Sequence, residues 1–206
     1  MLSPTDALSR LREGNQRFVD GVRSYATMPS PERRNALVAG QKPFATILGC
    51  SDSRVPAELV FDQGLGDLFV IRIAGNIVAP SQIGSVEFAA ASLGSQLVVV
   101  LGHTGCGAVA ATLAEIARPS EDQSPHLASI VDHIRPAVEP LLETELRDDP
   151  KELAHQAVRA NVRAAAGHLR HGSRILEEHI ARGELLVVGA EYSLATGRVD
   201  FFDGVT

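Results

Sequence analysis

Four short apolar runs, each bounded by turn residues, punctuate the chain at 44–49 (FATILG), 68–71 (LFVI), 97–101 (LVVVL) and 185–188 (LLVV). Runs this short and this continuous read as strands buried on both faces, where no polar alternation is required. Between them, apolar positions recur with helical period at 81–93, 108–117, 124–142 and 151–180, the last interrupted near Gly172. Strands alternate with helices, which predicts an α/β fold with a central, mostly parallel β-sheet flanked by helices. Residues 198–202, beyond the turn Ala195, Thr196, Gly197, read as a short edge strand. Two further helices are expected ahead of the sheet, at 5–18 and 30–39. The stripe Leu8, Leu11 and Phe18 has no evident local surface to cover, so the N-terminal helices are expected to pack on a partner subunit, with the chain's own sheet as the alternative. Residues 1–206 are expected to form one domain, with 1–40 an N-terminal helical arm and 41–206 the α/β core. The acidic stretch 143–149 reads as a solvated connection.

Composition narrows the function classes. At 45% hydrophobic and 21% charged, the 206 residues are ordinary globular material. The formal net charge is -6 and only two lysines occur, so the clustered basic face that a nucleic acid needs is missing. No apolar run approaches the ~18 residues of a membrane span. The first helix carries charge throughout and lacks a secretory signal's apolar core, so a cytoplasmic location is expected. There are two cysteines, Cys50 and Cys106. They can form at most one bridge, and a reducing cytoplasm argues against that one. Packing, redox chemistry and metal ligation remain.

Their positions favour the metal. Cys50-Ser51-Asp52-Ser53-Arg54 follows one predicted strand and His103-Thr104-Gly105-Cys106-Gly107 follows another, at the strand ends where open α/β sheets bind ligands. Adjacent parallel strands would bring Cys50, His103 and Cys106 into one crevice. Two thiolates and an imidazole suit zinc, and three protein ligands leave a fourth tetrahedral position for water, the pattern of a catalytic site. Taken singly, His103 is an ordinary polar residue at a strand end and Cys106 a small core residue at a helix start. The helix expected from near Gly107 would also lower the Cys106 thiol pKa. The glycine-rich loop 102–107 fits neither the dinucleotide nor the Walker phosphate pattern. Asp52 either accepts a hydrogen bond at the open site or becomes a fourth ligand. Arg54, by pairing with it, would decide between the two.

Together, CSDSR and HTGC resemble the Cys-x-Asp-x-Arg and His-x-x-Cys signature of the β-class carbonic anhydrases. The blocks GQKPFATILGCSDSRVPAELVFDQGLGDLFVIRIAGN, GSVEFAAASLGSQLVVVLGHTGCGAV and LLVVGAEYSLATGRVDF extend the resemblance over nearly the whole chain from Gly14. It implies one zinc ion per subunit on Cys50, His103 and Cys106, with Asp52 paired to Arg54 or bound as a fourth ligand in a closed state. It further implies a homodimer or homotetramer. Gln41 matches a substrate-binding glutamine and Phe69 an aromatic wall of the substrate pocket, both contributed by the neighbouring subunit. Phe88 departs from the family, many members of which carry tyrosine there.

The implied reaction is the reversible hydration of carbon dioxide to bicarbonate and a proton, with zinc hydroxide as the nucleophile. Two thiolates neutralise the zinc charge, so activity is expected to rise with pH. No proton-shuttle histidine is evident, since His126, His133, His155, His168, His171 and His179 fall on predicted helices or loops. Two alternatives stand beside this one. Carbonyl sulfide or carbon disulfide hydrolysis is distinguished by side-by-side turnover. A non-catalytic zinc or thiol redox protein is distinguished by four protein ligands on the metal at every pH.

Overall fold

The computed structural model describes residues 2–119 and 124–205. The apolar runs are strands: β1 (Ala45–Gly49), β2 (Leu68–Arg72), β3 (Leu97–His103) and β4 (Leu186–Tyr192), followed by β5 (Val199–Asp203). They form one sheet in the order β2-β1-β3-β4-β5, with parallel pairing throughout except for antiparallel β5 at the edge. All seven residues of β3 are buried, which explains why its sequence shows no polar alternation.

The strand pleat sorts the core into two faces. Leu97, Val99 and Leu101 join one cluster with Ile47, Val188, Phe61 and Phe201, while Val98 and Val100 join another with Leu48, Ile71 and Val187. The first face is covered by α1 (Pro4–Val19) and α3 (Ala57–Val60). Helix α1 starts on the Ser3 side chain, which accepts from the Asp6 N–H at 3.1 Å, with Pro4 at its first turn. Helices α4 (Pro80–Leu93), α7 (Pro150–His171) and α8 (Arg174–Ala181) cover the second face. A third, smaller cluster under α5 (Gly107–Ala117), α6 (Pro125–Val138) and α7 encloses Cys50 and Cys106.

Several boundaries differ from the sequence reading for physical reasons. Of the stripe, Leu8 and Leu11 are buried in the chain's own sheet cluster and Phe18 packs partly buried against it, so the chain's own sheet covers it. Helix α2 covers only Pro31–Ala36 of the expected 30–39. The segment 124–142 is not one helix, because Pro140 has no N–H to continue it and the chain tightens into a 3-10 turn over Glu139–Glu143. The break near Gly172 separates α7 from α8, which starts afresh on the Ser173 cap. Strand β3 runs two residues further than its apolar run, so His103 is the last rung of the sheet, paired with Tyr192.

Helix α7 packs close against the sheet. A Cβ at Gly102 would lie 2.5 Å from a Val162 methyl, and one at Gly189 would lie 2.8 Å from the other. The two glycines form a notch on β3 and β4 into which Val162 drops, and this sets the height of α7 beside the end of β3.

Candidate metal centre

Cys50 follows directly on β1, whose Gly49 is in register with Leu101 of β3. His103 ends β3 two residues later, and Cys106 takes the N-cap position of α5. The topology therefore brings the three residues together at the carboxyl ends of two adjacent parallel strands. One ligand atom from each lies within 4.8 Å of the others, and all three residues are buried.

The details of the cluster fit a cation. His103 is 0% exposed. Its Nδ1–H donates to the Thr104 carbonyl at 3.0 Å in the tautomer that leaves an Nε2 lone pair. That Nε2 is buried and has no hydrogen-bond partner, an arrangement that costs stability unless something fills it. As thiols alone, the two cysteines conflict. The Cys106 thiol donates to the Cys50 sulfur and drives the Cys50 pKa far below the usual thiol range; Cys106, beside that thiolate and buried, is pushed up. First-turn N–H groups of Val109 and Ala108 act to lower the Cys106 pKa, the direction expected of a helix start, against its burial and the neighbouring Cys50 thiolate. A divalent cation held by Cys50, His103 and Cys106 would remove the conflict by letting both thiols ionise. For His103, burial acts to depress the pKa, but the adjacent Cys50, the Thr104 carbonyl and the negative charge of Asp52 raise it on balance.

Asp52 stands beside this cluster and outside it. Its two oxygens accept from Arg54 Nε at 2.9 Å and Arg54 NH2 at 2.7 Å, and the Arg54 backbone N–H adds a third bond at 2.9 Å. The side-chain hydrogen bond from Arg54 holds the Asp52 carboxyl well below the usual carboxylate range. Asp52 Oδ2 is 3.8 Å from His103 Nε2, so the carboxylate borders the site without entering the ligand set.

Sequence reasoning missed the supports. Arg72, at the end of β2, donates from Nε to the Cys50 carbonyl at 3.0 Å and from NH2 to the Asp52 carbonyl at 2.5 Å, clamping the loop that carries both. The Gly75 N–H donates to Cys50 Sγ at 3.4 Å. Both residues lie in the block LFVIRIAGN, which offers no motif for a backbone donor.

Two expected site residues are not brought to the cluster within the chain. Gln41 precedes β1 while Cys50 follows it, so roughly 15 Å of strand separates them. Gln41 instead lies in a surface groove of ≈ 510 Å³ with Leu37, Val38 and Leu65. Phe69 is in register with Thr46, near the start of β1, and its ring contacts Phe88 with centroids 6.2 Å apart. Of the remaining histidines, His126, His133, His168 and His171 are exposed. His155 is drawn in by the buried Glu191 at 3.1 Å, and His179 pairs with Glu184 at 3.0 Å.

A profile of the carbonic anhydrase family matches residues 45–199. "Carbonic anhydrase 2" of Mycobacterium tuberculosis is 40% identical over 205 residues, 98% of this chain and 95% of that protein. The carbonic anhydrase of Mycolicibacterium smegmatis is 39% identical over 96% of this chain and 93% of its own. Among solved structures, a tetrameric β-carbonic anhydrase from Sordaria macrospora superposes with a TM-score of 0.74 at 28% identity, covering 84% of this chain and 87% of that one.

The chain belongs to the β-carbonic anhydrase family.

The general reaction of carbonic anhydrases is the hydration of carbon dioxide. A Coccomyxa β-carbonic anhydrase in complex with acetazolamide superposes with a TM-score of 0.73 at 25% identity, over 95% of this chain and 86% of that one. The profile spans β1 through the first residue of β5 and so includes Cys50, Asp52, Arg54, His103 and Cys106. Among the described residues, no helix is long and apolar enough to cross a membrane.

Proposed function

We propose that this β-carbonic anhydrase is a zinc enzyme that converts carbon dioxide and water reversibly into bicarbonate and a proton, with Cys50, His103 and Cys106 as metal ligands. The observation that carries the reading is the buried, unpartnered Nε2 of His103 facing two buried sulfurs. Zinc bound there supplies a Lewis acid that makes a water molecule acidic enough to be a nucleophile near neutral pH.

The chain's own groups do the rest. The Thr104 carbonyl fixes the His103 tautomer and ring. Arg54 keeps Asp52 ionised and engaged outside the three-residue cluster that would hold the metal. Asp52, whose Oδ2 is 3.8 Å from His103 Nε2, would accept a hydrogen bond from a metal-activated water and orient it. Gln41 and Phe69 serve the site of a partner subunit, as donor and apolar wall for the substrate, in a homodimer or larger homo-oligomer. The distance of both from the cluster within one chain supports that division. The unpaired Cys50 and Cys106 agree with a reducing, cytoplasmic setting.

Metal analysis of the purified chain together with carbon dioxide hydration measured across pH tests this directly. One zinc per chain and a rate that climbs toward alkaline pH are expected. A metal-replete chain that leaves carbon dioxide unchanged but turns over carbonyl sulfide or carbon disulfide would move the assignment to a hydrolase.

A further inference from the structure

Asn161 lies on the core face of α7 and is 3% exposed. It lies outside the Cys50, His103, Cys106 cluster, and its side-chain Nδ2 donates to the Gly75 carbonyl at 2.8 Å. The same glycine presents its N–H to Cys50 Sγ at 3.4 Å. We infer that Asn161 is a positioning residue for the metal centre, which aims the Gly75 N–H at the Cys50 sulfur by holding the Gly75 carbonyl.

The turn needs such a hold. Gly75 sits at φ 70 in a three-residue 3-10 turn over Ala74–Asn76, and Asn76 follows at φ 44. Glycine at a reversed φ is freer to swing than any other residue. A larger residue would be strained at that φ, and its Cβ would crowd Ile134 Cδ1 at 2.7 Å and Ala108 Cβ at 3.0 Å. With its N–H committed to Cys50 and its carbonyl to Asn161, both peptide planes of Gly75 are fixed. The amide of Asn161 arrives at a set height because the next residue, Val162, is seated in the notch formed by Gly102 and Gly189. An N–H donor on a metal-bound thiolate draws charge from the sulfur, orients its lone pairs and tunes the metal. Asn161 thus acts on the ion through a backbone amide, with no contact to it.

This inference rests on the metal reading above, and the test separates the two. Metal-free chains, wild-type and with Asn161→Ala or Asn161→Asp, are titrated with Co2+ alone and with Zn2+ against a competing chelator. The wild type is expected to show a sulfur-to-cobalt charge-transfer band. Both variants should show that band at longer wavelength, as Cys50 loses its donor, and zinc affinity lower by about 10–100-fold. Thr46→Val is the structural control, because it breaks the buried Thr46–Ser95 hydroxyl bond of 2.9 Å at the far end of β1. It should lower the melting temperature and leave band and affinity alone. Folded Asn161 variants with wild-type band and affinity overturn the inference and leave the metal reading intact. A wild type without the band overturns the metal reading and the inference with it. A second measurement needs no variant: with 113Cd in the site, scalar coupling to the Gly75 amide proton supports the relay, and its absence overturns it.

Discussion

Both oxygens of Asp52 are taken by Arg54, at 2.9 and 2.7 Å, so the effect of changing either residue depends on that pairing. In Arg54→Ala the carboxylate is released 3.8 Å from His103 Nε2, close enough to swing in as a fourth ligand. Hydration should fall by about 10–100-fold with zinc retained, and X-ray absorption should report an added oxygen ligand from protein. A variant with wild-type rate would remove Arg54 from the mechanism. Cys106→Ser acts differently, since it deletes a ligand: zinc content should fall toward none and hydration with it, checked by metal analysis and stopped-flow assay. At this scale, the groups proposed to bear chemistry were legible in the sequence. Cys50, Asp52, Arg54, His103 and Cys106 announce themselves by residue type and spacing. Gly75, Thr104 and the Asn161 amide do not, because a backbone N–H or C=O carries no signature of the residue that presents it, and its partner is fixed only by the fold.

Elements hold the site through close approach and through pinned loops. Gly102→Ala would force a methyl into the Val162 side chain. The expected cost is about 1–3 kcal/mol of overpacking, seen as a lower melting temperature, with α7 lifted from the end of β3. On the opposite face, the buried carboxylate of Asp62 ties α1 to the loop behind it, accepting from Arg17 Nε at 2.6 Å, Thr27 Oγ1 at 2.8 Å and the Ser24 N–H at 3.1 Å. Burial acts to raise the Asp62 pKa, but these donors, led by Arg17, hold it below the ordinary carboxylate value. A group with its folded pKa depressed contributes stability above its unfolded pKa and loses it as pH falls through the folded value. Asp62→Asn should therefore melt earlier at neutral pH, by about 1–3 kcal/mol of lost charged hydrogen bonding. The two melting curves should converge in strong acid. Asn also tolerates the Asp62 φ of 44, so the substitution adds no backbone strain to the lost hydrogen bonding. Strands and long helices were readable from periodicity. The four-residue α3 and the true end of β3 were not, since His103 is buried by its function and breaks the apolar run that marked the strand.

At the scale of the whole molecule, the chain leaves apolar surface uncovered around the loop between α1 and β1. Tyr25 is 87% exposed and Val38 85%. Val38 lines the groove that holds Gln41, so the face that would meet a second copy also carries a proposed substrate contact. Tyr25→Asp combined with Val38→Glu should shift sedimentation toward the monomer. It should lower kcat/KM roughly 100-fold, the scale of losing a preorganised donor, with zinc content unchanged. A fully active monomer would remove Gln41 and Phe69 from the partner's site. The groove itself was not legible from residue order, because a surface hollow shows only when the chain's own core has been accounted for.

The adjacency of β1 and β3 also has a kinetic consequence. Those neighbours are joined by a crossover through α3, β2 and α4, so their pairing is non-local and must await costly loop closure. Cys50 and His103 meet only once that crossover has closed. A metal captured there would arrive after the rate-limiting barrier, leaving the refolding rate as it is and slowing unfolding. Refolding started with and without zinc should trace the same forward rate, while the loaded chain should outlast the bare one when diluted into denaturant.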